Sequence, residues 1–352
     1  MIRGRSTTPA GKIVVWLNSF TLNVDPVSIE PLVIACAADR QYAMPLAVML
    51  RSTVANLDPQ RELNIYIVDG GLDREMRARI CASLPRQVTL HWIAPARGGF
   101  VDLPLWGRMT ITTYDKLTLG RWLPASVKRA IWLDCDLMVL GDLARLWAIA
   151  NENHCVLAVQ DVLVRTMGAR FGVASYREMG IPDGAEYFNA GVMLIDVARW
   201  RTDDIAGRAL AYLRNNRRVF FWDQEALNAV LAGEWGKLDP RWNWNPNFET
   251  SPETSLETSP RGSPWIIHFA GGLKPWHFEG RSTSHKRYYQ YLDATAWAGW
   301  RPAHNWRTAM LSHYESSRFR RALFPLECLR MGVERAMTMR YVSADSGEQP
   351  AS

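Results

Sequence analysis

What most restricts this chain is a recurring pattern: an apolar run of strand length, a stretch of helix composition, then another apolar run. Residues 31–37 (PLVIACA), 63–68 (LNIYIV), 88–93 and 129–133 read as strands. Between them, residues 45–56, 73–84 (with Asp73 as N-cap) and 112–123 read as helices. Strands that alternate with helices are joined by crossovers and pair largely in parallel, which predicts an α/β fold. Such sheets bind ligands beyond the carboxyl ends of their strands. Asp39 and Asp134 directly follow two of the expected strands.

The second half is less regular. Residues 156–159, 191–197 and 265–269 read as strands, and 198–215 and 224–232 as helices. Residues 249–260 (ETSPETSLETSP) are three near-copies of Glu-Thr-Ser. Such low complexity predicts a flexible surface loop over 249–264. At 352 residues and 48% apolar the chain can bury a core without covalent staples. No run of about 18 apolar residues is present to span a bilayer. The cysteines (Cys36, Cys81, Cys135, Cys155 and Cys328) are odd in number and show no C-x-x-C spacing. That argues against a disulfide framework and a thiolate zinc site, and suits the reducing cytoplasm. Residues 1–29 are read as an N-terminal extension rather than a signal peptide. Their apolar stretch, 13–20, is short, contains Asn18 and lacks a clean small-residue cleavage site.

The formal charge is +6, from 41 basic and 35 acidic residues. Residues 280–352 hold eleven Lys/Arg and six Asp/Glu, a surplus of five, so nearly all of the excess lies in the tail. No nucleic-acid-binding motif accompanies it, and no nucleic acid is expected as a partner. Phe319, Leu323, Leu326, Leu329, Val333 and Met337 recur there at three- and four-residue steps with arginines interleaved. A basic amphipathic helix on an anionic membrane surface has this pattern. A helix packed on its own domain with a solvated basic face has it too, and Pro325 interrupts the run.

Four constellations carry chemistry. Asp134-Cys135-Asp136 places two carboxylates one residue apart after a buried strand. Oxygen ligands of this kind suit a hard divalent cation such as Mg²⁺ or Mn²⁺, which usually shares its shell with phosphate oxygens. A solvated pair in a turn would look the same. Cys135 is expected to point into the core. His268 ends the strand at 265–269 and is followed by Gly271-Gly272-Leu273-Lys274. Its imidazole suits Mn²⁺ better than Mg²⁺. The glycines permit close backbone approach, and Lys274 offers a point charge to a phosphate. Asn189-Ala190-Gly191 precedes a strand, and Asp223-Gln224 opens a helix. Alone, Asn189 would be a turn residue and Asp223 an N-cap.

Taken together in this order, the segments ACAADRQYAMPLAVMLRS, TTYDKLTLGRWLP, IWLDCDLMVLGDLARLW, YFNAGVMLIDVARW, DQEALN and HFAGGLKPWH resemble glycosyltransferase family 8. This retaining family includes bacterial lipopolysaccharide galactosyl- and glucosyltransferases and glycogenin. The resemblance covers residues 31–278. It implies a GT-A fold over 30–278, a Rossmann-like nucleotide-binding domain with a mixed central sheet; residues 279–352 are read from their own charge and apolar spacing as a mainly helical basic appendage.

The resemblance also implies residue roles. Asp134, Asp136 and His268 would hold Mn²⁺, or Mg²⁺, against the diphosphate of a UDP-hexose. Asp39 would accept the uracil N–H, Tyr42 would stack on the base, and Ala37 and Ala38 would contact the nucleoside through their backbone. Gln41 stands where Asn is frequent. Lys116 holds the place of a basic residue near the donor. Cys135 and Ala190 fall within the donor-binding motifs. Asn189, Asp223 and Gln224 would contact the sugar, and Gly271 and Lys274 the diphosphate. Gln224 occupies the position of a β-face nucleophile but is an amide, a poor nucleophile. Front-face attack is therefore expected, with Glu225 a nucleophile only if the helix register differs. Asp161 would bind donor or acceptor hydroxyls.

The implied activity is transfer of glucose or galactose to a glycan or glycolipid, and the basic tail suits an acceptor held at a cytoplasmic membrane face. Two other readings are a glycogenin-like self-glucosylating protein, with Tyr288, Tyr289 or Tyr291 as acceptor, and a silent UDP-sugar-binding protein.

Overall fold

The structure, a computed structural model, describes residues 30–86, 88–216, 218–248, 262–280, 282–315 and 320–343. The expected extension (1–29), residues 249–261 of the expected loop and Phe319 lie outside the described residues, as do the side chains of Leu323 and Leu326.

The first half follows the predicted alternation. Strand β1 (Leu32–Ala38) leads through a 3-10 turn at Arg40–Tyr42 into helix α1 (Ala43–Ala55). Then come β2 (Leu63–Asp69), α2 (Arg74–Ala82), capped by Asp73, and β3 (Thr89–Ile93). A two-residue strand, β4 (Pro104–Leu105), precedes a 3-10 helix at Ile111–Thr118, α3 (Leu119–Trp122) and β5 (Arg129–Leu133). Next are β6 (Leu137–Val139), α4 (Leu143–Trp147), β7 (Val156–Gln160) and β8 (Phe188–Asp196). The chain continues through α5 (Val197–Thr202), α6 (Ile205–Asn215), α7 (Trp222–Val230), β9 (Trp235–Lys237) and β10 (Ile266–His268). It closes with α8 (Thr283–Leu292), α9 (Trp306–Glu315), α10 (Arg320–Thr338) and β11 (Arg340–Tyr341).

Seven strands form the central sheet in the order β3-β2-β1-β5-β8-β7-β9. Strands β3, β2, β1 and β5 are parallel, β8 runs antiparallel to both β5 and β7, and β9 is parallel to β7. The sheet is thus mixed, as the resemblance implied. The chain order reverses between β1 and β5, the kind of switch point at which such sheets bind ligands. Because β8 is antiparallel to β5, its amino end meets the carboxyl end of β5. The carboxyl end of β7 meets it from the other side. Asp39, Asp134, Asp161 and Asn189 therefore converge on one edge of the sheet.

Three readings of local structure need correction. Residues 112–118 form a 3-10 helix, not an α-helix. Side chains at i and i+3 eclipse in that geometry. Thr112 and Asp115 both bond Arg97, while Thr113 and Lys116 both bond Asp223. The helix read over 198–215 is two helices, broken where Asp204 adopts φ +43° and caps α6 through the Gly207 N–H. Strand β8 begins at Phe188, so Asn189 lies within it rather than in a preceding turn.

The expected boundary at 279 falls inside packed structure. Helix α8 packs on α1, and Tyr288, Leu292 and Trp297 belong to the same core as β1 and β5. Within residues 279–343, large apolar side chains become exposed beyond Trp297, among them Trp306, Met310, Leu329, Val333 and Met337. No helix among the described residues is long and apolar enough to cross a membrane.

Candidate active site

Asp134 and Asp136 sit in the tight connection from β5 to β6. Strand β6 pairs antiparallel with β10, placing His268 opposite Leu137, and the Phe269 N–H donates to the Asp136 carbonyl. This pairing brings together residues more than a hundred positions apart in sequence. Ligand atoms of Asp134, Asp136 and His268 lie within 4.8 Å of one another, the only such trio among the described residues. Asp136 and His268 are buried, and Asp134 is half-buried.

The imidazole is oriented. Nδ1 lies 2.8 Å from Asn243 Oδ1, and Nε2 lies 3.3 Å from Asp136 Oδ1. An Nδ1–H donated to Asn243 leaves the Nε2 lone pair facing the carboxylates, as a metal-ligating histidine requires. A Cβ at Gly191 would stand 2.3 Å from His268 Cε1, so the glycine of Asn-Ala-Gly makes room for this ring. Two carboxylates and one aligned imidazole fit a divalent cation of the Mn²⁺ or Mg²⁺ kind.

Two lysines flank the carboxylates. Lys116, buried, bonds Asp223 at 2.7 Å and Asp134 at 3.1 Å, and lies over the Trp132 ring. Burial pulls its pKa down, but Asp134 and Asp223 outweigh that and push it up. Lys274 bonds Asp136 rather than standing free. Burial raises the pKa of Asp136, yet the Lys274 ammonium and then the His268 imidazole hold its carboxyl well below the usual range. Asp136 is thereby kept ionised, the state a cation needs.

From His268 a chain of amides and carboxylates continues along the sheet edge. Asn243 donates to Asn189 Oδ1 (2.8 Å), and Asn189 donates to Asp161 Oδ2 (2.8 Å). Gln224 also donates to Asp161 Oδ2 (3.2 Å), while its own Oε1 accepts the Ala190 N–H (3.1 Å). Asp161 Oδ1 accepts the N–H groups of Leu163 and Val164. The register between β7 and β8 jumps here, from Ala158 opposite Met193 to Val159 opposite Asn189. This bulge leaves the Ala190 N–H to Gln224, while on the other side of β8 the Gly191 carbonyl continues the β5 ladder by accepting the Asp134 N–H. Asn228 clamps α7 to β8 by bonding both the N–H and the carbonyl of Phe188.

At the β1 end, Asp39 Oδ1 caps the 3-10 turn through the N–H groups of Gln41 and Tyr42, and Oδ2 accepts from Thr110 Oγ1 at 2.7 Å. Tyr42 meets Trp276 edge-on at 5.8 Å. Ala37 and Ala38 end β1. The Ala37 carbonyl accepts from Cys135 Sγ, and the Ala38 carbonyl from the Gly70 N–H. Burial pushes the Cys135 thiol well up, so it is inert, facing the core as expected. Gly271 adopts φ +94°, which explains a glycine there.

Glu225 is not a nucleophile in this geometry. It is fully buried, and its carboxylate accepts from the N–H groups of Ala174, Phe220 and Phe221 and from the Tyr212 hydroxyl. Nor are the tail tyrosines open acceptors. Tyr288 is buried, Tyr289 is buried and donates to the Pro275 carbonyl, and the Tyr291 hydroxyl accepts from Asn56.

The sequence reading missed Asn243, Thr110 and Thr113. Only the alternation of Asn243, Trp244 and Asn245 in an irregular stretch hints at the first.

Residues 33–280 match the profile of glycosyl transferase family 8. General stress protein A of Bacillus subtilis is 30% identical over 282 residues, covering 75% of this chain and 94% of the relative. The lipopolysaccharide 1,3-galactosyltransferase of Salmonella typhimurium is 22% identical, over 75% of this chain and 79% of the relative. Among solved structures, the galactosyltransferase LgtC in complex with donor and acceptor sugar analogues superposes with a TM-score of 0.63 at 27% identity. It covers 75% of this chain and 96% of that one.

Proposed function

This chain belongs to glycosyl transferase family 8 and is a hexosyltransferase of GT-A fold, and on that premise we propose that it transfers glucose or galactose from a UDP-sugar to a glycan or glycolipid, with retention and with Mn²⁺ bound at Asp134, Asp136 and His268. The observation that carries this reading is the convergence of that trio with two lysines at the switch point of the sheet. A divalent cation held there supplies Lewis-acid neutralisation of charge developing on the leaving diphosphate.

The chain's own groups do the rest. Asp39 accepts the uracil N–H, Tyr42 stacks on the base, and the backbone of Ala37 and Ala38 lines the nucleoside. Lys274, in reach through the open Gly271-Gly272 turn, adds a positive charge to the leaving group. Asn189, Asp223 and Gln224 contact the sugar. Both ends of the Gln224 amide are already engaged, and every acceptor of Glu225 is occupied, so neither supports a covalent intermediate. Front-face displacement follows. The acceptor oxygen bonds to the anomeric carbon on the face the phosphate leaves, and the acceptor proton passes to the leaving phosphate oxygen. Gln224 and Asp161 orient the sugar.

The proposal extends to location. On α10, Leu329, Val333 and Met337 lie at four-residue spacing and are more than half exposed, beside the exposed Arg330. The other side of this helix faces the domain, with Arg335 bonding the Val219 carbonyl. An apolar strip rimmed by arginine suits an anionic cytoplasmic membrane surface, where a lipid-linked acceptor would be presented.

The test is UDP release from several UDP-sugars with Mn²⁺ and no acceptor. Slow hydrolysis of one hexose donor, lost in Asp136→Asn, supports the reading. Failure of UDP to bind at all would remove it.

A further inference from the structure

The segment 104–110 touches both ends of the cleft yet belongs to no part of the main sheet. At one end Thr110 donates to Asp39. At the other, Trp106 stacks on Trp222 (centroids 4.6 Å apart), next to Asp223, and its Nε1 donates to the Phe220 carbonyl. Between them the chain turns at Gly107, with φ +60°.

What secures this segment comes from the far end of the chain. Among the described residues strand β4 pairs only with β11, with Leu105 opposite Arg340 and Pro104 opposite Tyr341. The Asp102 N–H donates to the Val342 carbonyl, and the Val342 N–H to the Leu103 carbonyl. Val342 itself is buried within the core cluster. The Gly107 N–H donates to Thr338 Oγ1 at 2.7 Å. Arg340 spans the turn, one nitrogen donating to the Gly107 carbonyl (3.1 Å) and the other to the Met109 carbonyl (2.5 Å). A charged, forked donor holding two carbonyls two residues apart fixes the direction of the chain entering Thr110.

We infer that residues 334–342 act as a strap that positions segment 104–110 over the donor site, with Arg340 as the positioning residue. The inference rests on the reading of Asp39 as a nucleotide contact. Arg340 touches no substrate. It acts by keeping Thr110 on Asp39 and Trp106 on Trp222, so that the nucleotide meets a wall already in place.

The experiment compares the full chain with Arg340→Ala and Arg340→Lys. Amide exchange over residues 104–110 is measured without nucleotide. UDP affinity with Mn²⁺, and KM and kcat for donor hydrolysis, are measured alongside. The expected result for Arg340→Ala is faster exchange at 106–110. UDP affinity and KM should each worsen about three- to tenfold with kcat within about twofold, the scale of two lost hydrogen bonds at a surface. Arg340→Lys, with a single point donor, should fall between. Unchanged exchange, or faster exchange with unchanged UDP affinity, overturns the inference. Should the wild-type chain bind no UDP, the functional reading fails, and the exchange result alone decides whether the strap holds the segment.

Discussion

Along the edge formed by β7, β8 and α7, Asn189, Asp161, Gln224 and Asn243 satisfy one another in a continuous hydrogen-bonded chain. The segment after β10 is held far less. Gly271 and Gly272 are exposed, and a Cβ on either would meet no atom within 4 Å. Lys274 there has Asp136 as its anchor. On the proposed reading, the wall that would face the sugar is therefore preorganised, which favours discrimination. The wall that would face the phosphate has open space at its two glycines for a ligand that brings its own charge.

The largest expected effect comes from removing the anchor both walls share. Asp136→Asn should lower donor hydrolysis on the order of a thousandfold while the protein stays folded, since the amide fills the same volume. A loss under about tenfold would mean the trio is not where the chemistry occurs. Next, Glu225→Ala leaves three backbone N–H groups and a tyrosine hydroxyl without their acceptor. A stability loss of about 3 kcal/mol in denaturant titration is expected.

Glu225 also sets a pH dependence. Burial raises its pKa above the ordinary 4.5, its backbone and tyrosine donors pulling back only partly. The folded state then holds the proton more tightly than the unfolded state, so this group withdraws stability as pH rises from about 4.5 through the folded value. Glu225→Gln cannot titrate. Its stability should fall less over that window, whatever its absolute level. Equal slopes would show that Glu225 ionises freely.

Asn243→Ala tests the wired wall at the ring it orients. Mn²⁺ affinity should drop about 10- to 100-fold, read by calorimetry without substrate. Gly271→Ala tests the open wall. With φ at +94°, it should cost about 1–2 kcal/mol and raise donor KM, leaving Mn²⁺ affinity unchanged. If it weakened metal as much as Asn243→Ala, the contrast between the walls would collapse. The smallest effect on the cleft is expected for Leu329, Val333 and Met337 changed together to serine. Melting temperature and turnover of soluble donor should hold, and co-sedimentation with anionic vesicles should be lost.

The parts of this site legible in the sequence are those that strand ends deliver. Asp39, Asp134 and His268 each follow or end an apolar run, and the run itself marks the sheet. Asp161 was legible for the same reason. Asn243 was not, because it lies in a 3-10 turn whose place is set by tertiary contacts and carries no period. Residues 112–118 looked helical because their composition permits a helix. The tighter winding is imposed by two ion pairs, Arg97 with Asp115 and Lys116 with Asp223, whose partners lie elsewhere in the chain. The start of β8 was misplaced because the bulge opposite Val159 breaks the alternation that reveals a strand.

The pairing of β4 with β11 also governs how the protein comes off the ribosome. The bonds from Arg340 to the Gly107 turn join positions 233 residues apart. At about 5–20 residues per second, that separation corresponds to on the order of ten to fifty seconds of translation. Throughout that interval β4 has an unpaired edge, and the core beneath can assemble before the donor segment is fixed. A nascent chain would thus acquire its sheet first and the fixed turn at Gly107 last, with chaperones having longest access to the stretch around Trp106.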